Sequence, residues 1–464
     1  MKLDKLTTLL LISFFSLTCY TQNKKARKTQ SLQVNISGKK IVDILSFFSD
    51  VEPGGTLLVS QNGQHIASAA LGKSNLELDT DMKMDNVFNI ASATKPFTAV
   101  AIFKLIEDDK ISLDDKISKI ILDFPDKGRE ITVGHLLSHS SGMDYKMDEN
   151  ERNRLKKAIV LKRENDSISI TEYFTDEKFD NEPGIKYDYN NTAYQILGYI
   201  IEEISGKPYE EYLKGIFFEP LNMKSTQLES STKIIKNRAT GYDSFNGNDY
   251  QIRNVNSDDS YFYSAGGLMS TVEDLSIWYN ALMNYKIISK NSLQKLTTPI
   301  KYKDGTYAKN GYGFFTGNLN GNDYVLHDGL GWGYGSMVLY FPATKLFIGH
   351  LRNCGYGKYD VGLSYSAPTK IASTLLDSEY FNKDYTNKVL FKEYVGVYRS
   401  ALSQKDKIIV VEKNKLYLES RFGLLQLMPI NKNTFFVERN NETLIFTNKG
   451  LNVLRGASIF FEKI

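Results

Sequence analysis

The chain has little cysteine and little histidine. Its 464 residues include only 2 Cys and 5 His, which argues against a scaffold held by disulfides and leaves little material for a zinc site. Cys19 belongs to the N-terminal signal or anchor segment described below, so Cys354 has no disulfide partner in the rest of the chain. Stability must therefore come from packing, for which a chain of this length has a large enough core.

The sequence also lacks an excess of charge of either sign. It has 57 Lys plus Arg against 54 Asp plus Glu, a net charge of +3, so a surface that binds nucleic acid is not expected. Hydrophobic residues make up 42% and charged residues 24%, which excludes global disorder and a fibrous repeat. The body of the chain is predicted to be an ordinary globular protein.

An uncharged apolar run extends from Leu6 to Leu17, after Lys2 and Lys5. It is shorter than the roughly 20 residues that a membrane-spanning helix needs, and it predicts a secretory signal over residues 1–21. We expect export to the periplasm or cell envelope. Two processing sites fit: a loose lipoprotein box that would anchor the protein to the membrane by a lipid at Cys19, which we favour, or simple cleavage before Gln22.

Hydrophobic patterns divide the rest of the chain. Residues 22–35 are predicted to be a linker, and residues 36–378 an α+β domain with an antiparallel sheet, flanking helices and a helical insertion. Within that domain, residues 144–178 are charged and aperiodic, which is typical of a surface excursion or a lid. Short strands broken by Asn, Lys and Gly predict a small antiparallel β domain, closed or nearly closed, over residues 389–464.

Ser92 and Lys95 are the first candidates for chemistry. Residues three apart lie on one face of a helix, so the amine of Lys95 can reach the hydroxyl of Ser92 and accept its proton. The start of a helix adds backbone N–H groups that favour a developing oxyanion. A lone Ser-x-x-Lys also occurs by chance in many proteins, so the tetrad is informative only with supporting motifs.

Several supporting motifs follow in a fixed order. They are Thr132-Val-Gly-His-Leu-Leu-Ser-His-Ser-Ser-Gly142, Glu182-Pro-Gly-Ile-Lys-Tyr-Asp-Tyr-Asn-Asn191, Phe218-Glu-Pro-Leu-Asn-Met223, Ser264-Ala-Gly-Gly-Leu-Met-Ser270 and His327-Asp-Gly329. Together with Ser-x-x-Lys, they resemble the serine β-lactamase and penicillin-binding-protein superfamily, in particular its class C β-lactamase-like and D,D-peptidase-like branch. The resemblance extends over roughly Ile41 to Leu376 and implies that family's fold.

The resemblance implies a role for each of four residues. Ser92 would be the acylated nucleophile and Lys95 its proton acceptor. Tyr189, as a phenol or a phenolate, would move a proton to the leaving group, and Asn191 would orient Lys95 and the substrate. A tyrosine anion would need neighbouring cations, for which Lys95 and His327 are the candidates.

His327, Asp328 and Gly329 stand where many members of the superfamily carry Lys-Thr-Gly or His-Thr-Gly on an edge strand. His327 would supply positive charge or hydrogen bonding, Gly329 would allow close approach of substrate, and the N–H of Leu330 would complete an oxyanion hole with that of Ser92. Asp328 departs from the pattern. If it faces the pocket, it would repel a substrate carboxylate, which favours an ester or an amide without one.

Other residues have competing interpretations. His135 and His139, four apart, could suggest zinc, but Leu136 replaces the glutamate of the metalloprotease pattern, so structural roles are favoured and no metal site is predicted. Trp332 and Tyr334 could line the mouth of the pocket or pack within their own glycine-rich loop.

The sequence therefore predicts an exported serine hydrolase that works through a Ser92 acyl-enzyme on a small-molecule, peptide or ester substrate, without a cofactor. A carboxylesterase or a D-amino-acid peptidase is the alternative enzyme, since substrate preference lies in loops. A non-catalytic envelope binder or penicillin sensor is disfavoured, because Ser92, Lys95, Tyr189 and Asn191 occur together.

Overall fold

The computed structural model describes the chain in segments. They are residues 31–34, 53–121, 130–143, 181–230, 232–243, 251–252, 262–307, 310–319, 321–331, 333–355, 368–369, 371–372, 375–376, 391–400, 406–412, 415–420, 423–429, 434–437, 442–455 and 457–464. The predicted signal segment and the candidate lid at 144–178 lie outside the described residues.

The first part of the chain mixes strands and helices. The strands are β1 (Ser31–Val34), β2 (Gly55–Gln61), β3 (Gln64–Leu71), β4 (Lys73–Asn75), β5 (Thr80–Asp81), β6 (Phe88–Asn89), β7 (Gln227–Leu228), β8 (Tyr242–Asp243), β9 (Gln251–Ile252), β10 (Leu268–Ser270), β11 (Phe315–Leu319), β12 (Asn322–Gly331), β13 (Tyr334–Phe341) and β14 (Leu346–Arg352). The helices are α1 (Lys95–Glu107), α2 (Ile117–Ile120), α3 (Val133–Leu137), α4 (Asn191–Ser205), α5 (Tyr209–Leu213), α6 (Tyr263–Gly266), α7 (Val272–Met283) and α8 (Lys290–Thr297). A 3-10 turn (Ala91–Thr94) precedes α1, and a π-helical segment (Lys214–Phe218) follows α5.

Seven strands form the main antiparallel sheet, in the order β1-β3-β2-β14-β13-β12-β11. The predicted hairpin joins β2 to β3 through Asn62 and Gly63, whose φ angles of 53° and 75° are those of a type I′ turn. Residues Leu346–Arg352 pair with Gly55–Gln61, so strands from both ends of this domain meet in one sheet. The α+β prediction is confirmed.

The strand Ser31–Val34 corrects one predicted boundary. It pairs with residues 67–70 of β3 and so extends the sheet at its edge, although residues 22–35 are predicted above to be a linker. The alternation of a four-residue strand is too short a signal to be recognised beside a basic segment.

Helices cover one face of the main sheet, and the largest apolar core lies between them. Within this core, Phe97 of α1 stacks on Trp278 of α7, with ring centroids 4.0 Å apart. The core fixes α1, and through it the turn that precedes α1, against the sheet. A second, smaller core occupies the opposite face of the sheet.

The C-terminal strands close into an eight-stranded antiparallel barrel, as the sequence predicts for a closed β domain. They are β15 (Gly396–Arg399), β16 (Lys407–Glu412), β17 (Lys415–Ser420), β18 (Gly423–Pro429), β19 (Thr434–Val437), β20 (Glu442–Thr447), β21 (Gly450–Arg455) and β22 (Ala457–Lys463). Closure comes from pairing of the first strand with the last, and the barrel has an apolar core of its own.

Across the described part of the chain, no helix has both the length and the apolar character required to cross a membrane.

Candidate active site

Ser92 and Lys95 lie side by side, as their spacing predicts. Ser92 is in the 3-10 turn before α1, Lys95 is the first residue of α1, and Lys95 Nζ is 3.2 Å from Ser92 Oγ. Ser92 is half-buried, whereas Lys95 is fully buried. The serine hydroxyl can therefore meet a substrate while the amine stays behind it.

The surroundings of Lys95 favour an uncharged amine. Its Nζ donates to Asn191 Oδ1 over 2.8 Å and to the carbonyl oxygen of Ala265 over 2.7 Å. Burial holds the pKa of Lys95 well below its ordinary value. A neutral amine has two N–H donors and one lone pair, so with both donors used on acceptors its lone pair can accept the Ser92 hydroxyl hydrogen.

Tyr189 is the third member of the site. It is half-buried, its ring centroid lies 4.8 Å from Lys95 Nζ, and its hydroxyl hydrogen-bonds with the Ser92 side chain. Burial raises the pKa of Tyr189 well above its ordinary value, although the bond to Ser92 opposes this. Of the two forms left open by the sequence, the geometry therefore favours the phenol, which can donate a proton.

The start of α4 fixes the spacing of the Tyr-x-Asn element. Asn190 caps the helix, because its side chain accepts a hydrogen bond from the N–H of Ala193 over 3.0 Å. Tyr189 therefore lies just outside the helix, and Asn191 is its first residue, facing Lys95. The phenol of Tyr189 and the amide of Asn191 therefore lie on either side of the buried cap residue, Asn190.

The edge strand β12 passes beside Ser92. β11 pairs only with residues 322–326 of β12, so among the described strands none pairs with the outer edge of residues 327–331. A Cβ on Gly329 would lie 2.3 Å from the oxygen of Ile90 and 2.9 Å from the nitrogen of Ser92. Glycine is therefore required for this contact, and Leu330 follows directly along the same exposed edge.

His327 is uncharged at neutral pH. It is 2% exposed, and burial, opposed by Asp328, lowers the pKa of His327 to about 4. Its Nδ1 lies 2.7 Å from the carbonyl oxygen of Asp328, so Nδ1 carries the hydrogen and donates it. Of the roles expected from the sequence, hydrogen bonding is the one this geometry supports. Burial disfavours the imidazolium, so the geometry does not favour His327 as a source of positive charge for a Tyr189 anion.

Asp328 acts on the site electrostatically. It is half-exposed, and its carboxylate opposes the lowering of the pKa of Lys95 and adds to the raising of the pKa of Tyr189. Such effects on both groups require the carboxylate to lie within electrostatic range of Lys95 and Tyr189. With Lys95 and Tyr189 uncharged, Asp328 gives this edge of the site a negative charge.

A buried polar chain supports the turn before Ser92, and the sequence analysis missed it. Ala91 has a φ of +46°, in the left-handed region that is unusual for alanine. Its N–H donates to Asn89 Oδ1 over 2.7 Å, the Asn89 amide donates to buried Glu229, and Glu229 pairs with Arg238. Because Asn89 and Glu229 are 140 residues apart in sequence, no spacing could have revealed the chain.

The same turn is tied to two further elements. The Ser336 hydroxyl on β13 donates to the Ile90 oxygen over 2.7 Å, and the N–H of Ile90 donates to the Leu268 oxygen over 3.0 Å. The Ala265 carbonyl that receives Lys95 was likewise missed, because a backbone acceptor leaves no signature in residue type. Tertiary contacts therefore hold the nucleophile from several sides.

The two histidines of the Thr132–Gly142 motif have structural contacts. His135 Nδ1 accepts the N–H of Thr132 in a capping box at the start of α3, and His139 Nδ1 accepts the N–H of Asn190. No group of three or more His, Cys, Asp or Glu residues that could hold a metal ion occurs in the described part of the chain.

Tyr334 is buried, and its hydroxyl donates a hydrogen bond to the backbone oxygen of Ala239. This favours packing over a place at the pocket mouth. Trp332 lies outside the described residues.

The fold and the site define a class of protein, the serine hydrolases built on a mixed α+β sheet. The family described as Beta-lactamase matches residues 46–366, and the chain belongs to this family. Penicillin-binding proteins and a D-amino acid amidase are among the proteins to which the chain is similar.

Three similar proteins illustrate the range. Penicillin-binding protein 4* of Bacillus subtilis (strain 168) is 25% identical over 420 residues, which cover 85% of this chain and 90% of the relative. The octameric penicillin-binding protein homologue from Pyrococcus abyssi matches with a TM-score of 0.60 and 24% identity, over 91% of this chain and 98% of that structure. The D-amino acid amidase from Ochrobactrum anthropi SV3, complexed with D-phenylalanine, matches with a TM-score of 0.61 and 24% identity, over 73% of this chain and 98% of that structure.

Proposed function

We propose that this protein cleaves an amide or an ester through an acyl-enzyme on Ser92. The observation that carries the proposal is the setting of Lys95, a buried amine that donates to two acceptors and lies 3.2 Å from Ser92 Oγ. An amine kept neutral beside a serine is the base that a serine nucleophile requires. No metal ion or organic cofactor is needed for this chemistry.

Acylation begins when Ser92 Oγ attacks the substrate carbonyl carbon and Lys95 takes the hydroxyl proton. The N–H groups of Ser92 and Leu330 stabilise the oxyanion of the tetrahedral intermediate. The bond to the leaving nitrogen or oxygen then breaks, Tyr189 gives that atom a proton, and Lys95 returns its proton to Tyr189. One proton has moved from Ser92 to the leaving group, and the acyl group is on Ser92.

Deacylation reverses these roles with water. A water molecule attacks the acyl carbon while Lys95 and Tyr189 share the role of base, the phenol relaying the proton of water to the neutral amine. The ester bond to Ser92 breaks, and Ser92 Oγ recovers a proton. The carboxylic acid product leaves with the water oxygen. Asn191 and the Ala265 carbonyl hold the amine in place through both halves of the cycle.

We propose an amide or ester substrate that has no carboxylate near the scissile bond. Asp328 supports this, because its negative charge would repel a carboxylate at the position beside Gly329. The similarity to a D-amino acid amidase is in keeping with a small amino-acid amide, and a carboxylesterase or D-amino-acid peptidase falls within the same chemistry. A β-lactam with its carboxylate would be a poor substrate.

Intact-mass spectrometry with a fluorophosphonate and a fluorescent penicillin tests the nucleophile. We expect a single covalent adduct with the fluorophosphonate that Ser92→Ala abolishes, and hydrolysis of a nitrophenyl ester or a D-alanyl amide in preference to a chromogenic cephalosporin. An adduct that persists in folded Ser92→Ala protein would disprove the assignment. A stable adduct without turnover of any substrate would instead support an acylating sensor.

We also propose that the protein is exported and anchored by a lipid at Cys19, on the strength of the apolar run Leu6–Leu17 and the loose lipoprotein box. Cell fractionation of wild type and Cys19→Ser tests this proposal. The wild-type protein should sediment with membranes, and the variant should not.

A further inference from the structure

His139 contacts four consecutive residues of the segment that carries Tyr189, the first of them through an edge-on ring contact with Tyr187 at 5.7 Å between centroids. Its backbone oxygen accepts the N–H of Asp188 over 2.7 Å, and its Nδ1 accepts the N–H of Asn190 over 3.0 Å. Between these bonds, its ring stacks on the ring of Tyr189, with centroids 4.4 Å apart and an interplanar angle of 28°. One histidine thus holds both the backbone and the side chain of this segment.

The conformation of His139 is unusual for its residue type. It is 3% exposed and has a φ of +55°, a left-handed conformation that a bulky side chain adopts only when its surroundings enforce it. Its other face packs on Tyr194, at 4.8 Å between centroids, and Tyr194 donates to the Leu137 oxygen over 2.9 Å. The imidazole is therefore clamped between a core tyrosine and the tyrosine of the site.

The charge of His139 suits this arrangement. Nδ1 accepts a hydrogen bond, so the neutral ring carries its hydrogen on Nε2, whereas an imidazolium would point a donor at the N–H of Asn190. Burial and the nearby Lys95 hold the pKa of His139 well below its ordinary value. The contact therefore persists over the pH range in which the enzyme would work.

We infer that His139 is a positioning residue, which sets the phenol of Tyr189 for proton transfer to the leaving group through two separable contacts. The ring fixes the plane of Tyr189, and Nδ1 fixes the backbone between Tyr189 and Asn191. The inference rests on the proposed function, in which Tyr189 protonates the leaving group. It assigns a role to a motif whose two histidines otherwise serve only packing and capping.

The two contacts predict different kinetic defects. A p-nitroanilide needs a proton on its leaving nitrogen, whereas p-nitrophenolate leaves without one, so a misplaced phenol slows the anilide selectively. Loss of the Nδ1 acceptor also shifts Asn191, which accepts a bond from Lys95, and so slows attack by Ser92 on both substrates. The ratio of the two rates separates these cases.

The experiment measures kcat/KM for a p-nitroanilide and a p-nitrophenyl ester that share the acetyl-D-alanyl group. His139→Asn keeps an acceptor near the position of Nδ1 and tolerates the positive φ, but it removes the ring. We expect its anilide-to-ester ratio to fall by about tenfold or more, as part of the roughly 100-fold or greater contribution of a general acid. A ratio within twofold of wild type would overturn the inference.

His139→Phe makes the complementary change, since it keeps a ring and removes the acceptor. We expect kcat/KM to fall for both substrates, by about tenfold or more, because the Lys95–Asn191 contact is disturbed as well. Full ester activity in this variant would overturn the role assigned to Nδ1. If His139→Asn does not fold, His139→Gly, which relieves the positive φ, is judged by the same ratio.

Two controls separate positioning from general damage. His135→Asn alters the other histidine of the motif, which caps α3, and should lower the melting temperature without changing the ratio. In a Tyr189→Phe background, His139→Asn should cause no further fall in the ratio, because the phenol it would misplace is gone. A further fall of the same size as in wild type would contradict the inference.

Ser92→Ala distinguishes failure of the inference from failure of the proposed function. Turnover of the ester by folded Ser92→Ala protein would overturn the proposed function and the inference with it. Loss of turnover in Ser92→Ala, together with an unchanged ratio in His139→Asn, would overturn the inference alone.

Discussion

Three titratable side chains beside Ser92 are shifted by burial toward their uncharged forms. The pKa of Lys95 lies well below its ordinary value, the pKa of Tyr189 lies well above, and that of His327 falls to about 4. At the residue scale the site is therefore a base, an acid and a hydrogen-bonding imidazole, all without charge. Half-exposed Asp328 provides the negative charge of this edge.

The pKa of His327 predicts how stability depends on pH. The folded protein holds the ring neutral down to a pKa of about 4, whereas the unfolded chain takes up a proton near the ordinary 6.5. The stabilisation is present above pH 6.5 and is lost as pH falls through 4, a change of about 3 kcal/mol. Urea unfolding from pH 7 to 4 should show a smaller loss in His327→Asn than in wild type.

Asp328 predicts a change of substrate preference. Asp328→Asn keeps the shape and removes the charge, so a substrate with a carboxylate should acylate Ser92 faster, by about tenfold if the repulsion is near 1.4 kcal/mol. Stopped-flow acylation by a fluorescent penicillin measures this, with an uncharged nitrophenyl ester as the reference substrate. Equal effects on both substrates would show that the carboxylate does not select against anions.

At the scale of elements, the turn before Ser92 depends on the orientation of one amide. Glu229 only accepts hydrogen bonds, so it requires the Asn89 nitrogen to face it and leaves the Asn89 oxygen for the N–H of Ala91. The buried acid thereby determines which way the amide faces, and the amide holds the positive φ of Ala91.

Asn89→Asp should make the activity sensitive to pH. A carboxyl group beside the Glu229 carboxylate has a raised pKa, and when protonated it reproduces the bonds of the amide. Its ionisation sets two carboxylates against each other, so kcat/KM for the ester should fall as pH rises, relative to wild type. Asn86→Asp, in which the native amide donates to the Asn237 carbonyl, is the control and should show no such fall. Parallel pH profiles for Asn89→Asp and wild type would contradict this role.

The contact between β12 and the nucleophile turn predicts a steric effect. Gly329→Ala places a Cβ 2.3 Å from the Ile90 oxygen, so the strand must move away from Ser92. We expect a loss of about 1–3 kcal/mol in stability and a slower acylation by fluorophosphonate. Gly215→Ala, at a helical position where nothing beyond the local backbone lies within 4 Å of the added Cβ, should not slow acylation and should not lower stability.

At the scale of the whole molecule, the chain has separate cores. The two cores of the hydrolase domain draw on residues 57–372, and the barrel core on residues 394–461. Both tryptophans, Trp278 and Trp332, belong to the hydrolase domain. Tryptophan fluorescence therefore reports on that domain, whereas circular dichroism reports on both.

Phe435→Ala tests the independence of the two cores. Phe435 is fully buried in the barrel against Tyr394 and Phe446, at centroid distances of 5.4 and 5.5 Å, so its removal should cost about 3–5 kcal/mol. We expect circular dichroism to show an earlier urea transition, with the tryptophan transition and the Ser92 acylation rate unchanged. Val411→Ala, at an exposed barrel position, should have little effect. An earlier tryptophan transition in Phe435→Ala would show that the domains unfold as one unit.

Features that depend only on local geometry can be derived from the residues alone. The three-residue spacing of Ser92 and Lys95 puts them on one side of a helix start, and Asn62-Gly63 closes a hairpin, because both depend only on neighbouring backbone angles. The order of motifs likewise indicates the family.

The charges and the supports of the site depend instead on tertiary packing. The neutral state of His327, the polar chain from Asn89 to Arg238 and the stack of His139 on Tyr189 depend on segments that are distant in sequence. Desolvation is set by everything packed around a group, and a hydrogen-bond partner can come from any part of the chain. Neither the desolvation of a group nor its hydrogen-bond partner can be obtained from sequence spacing, since both are properties of the assembled core.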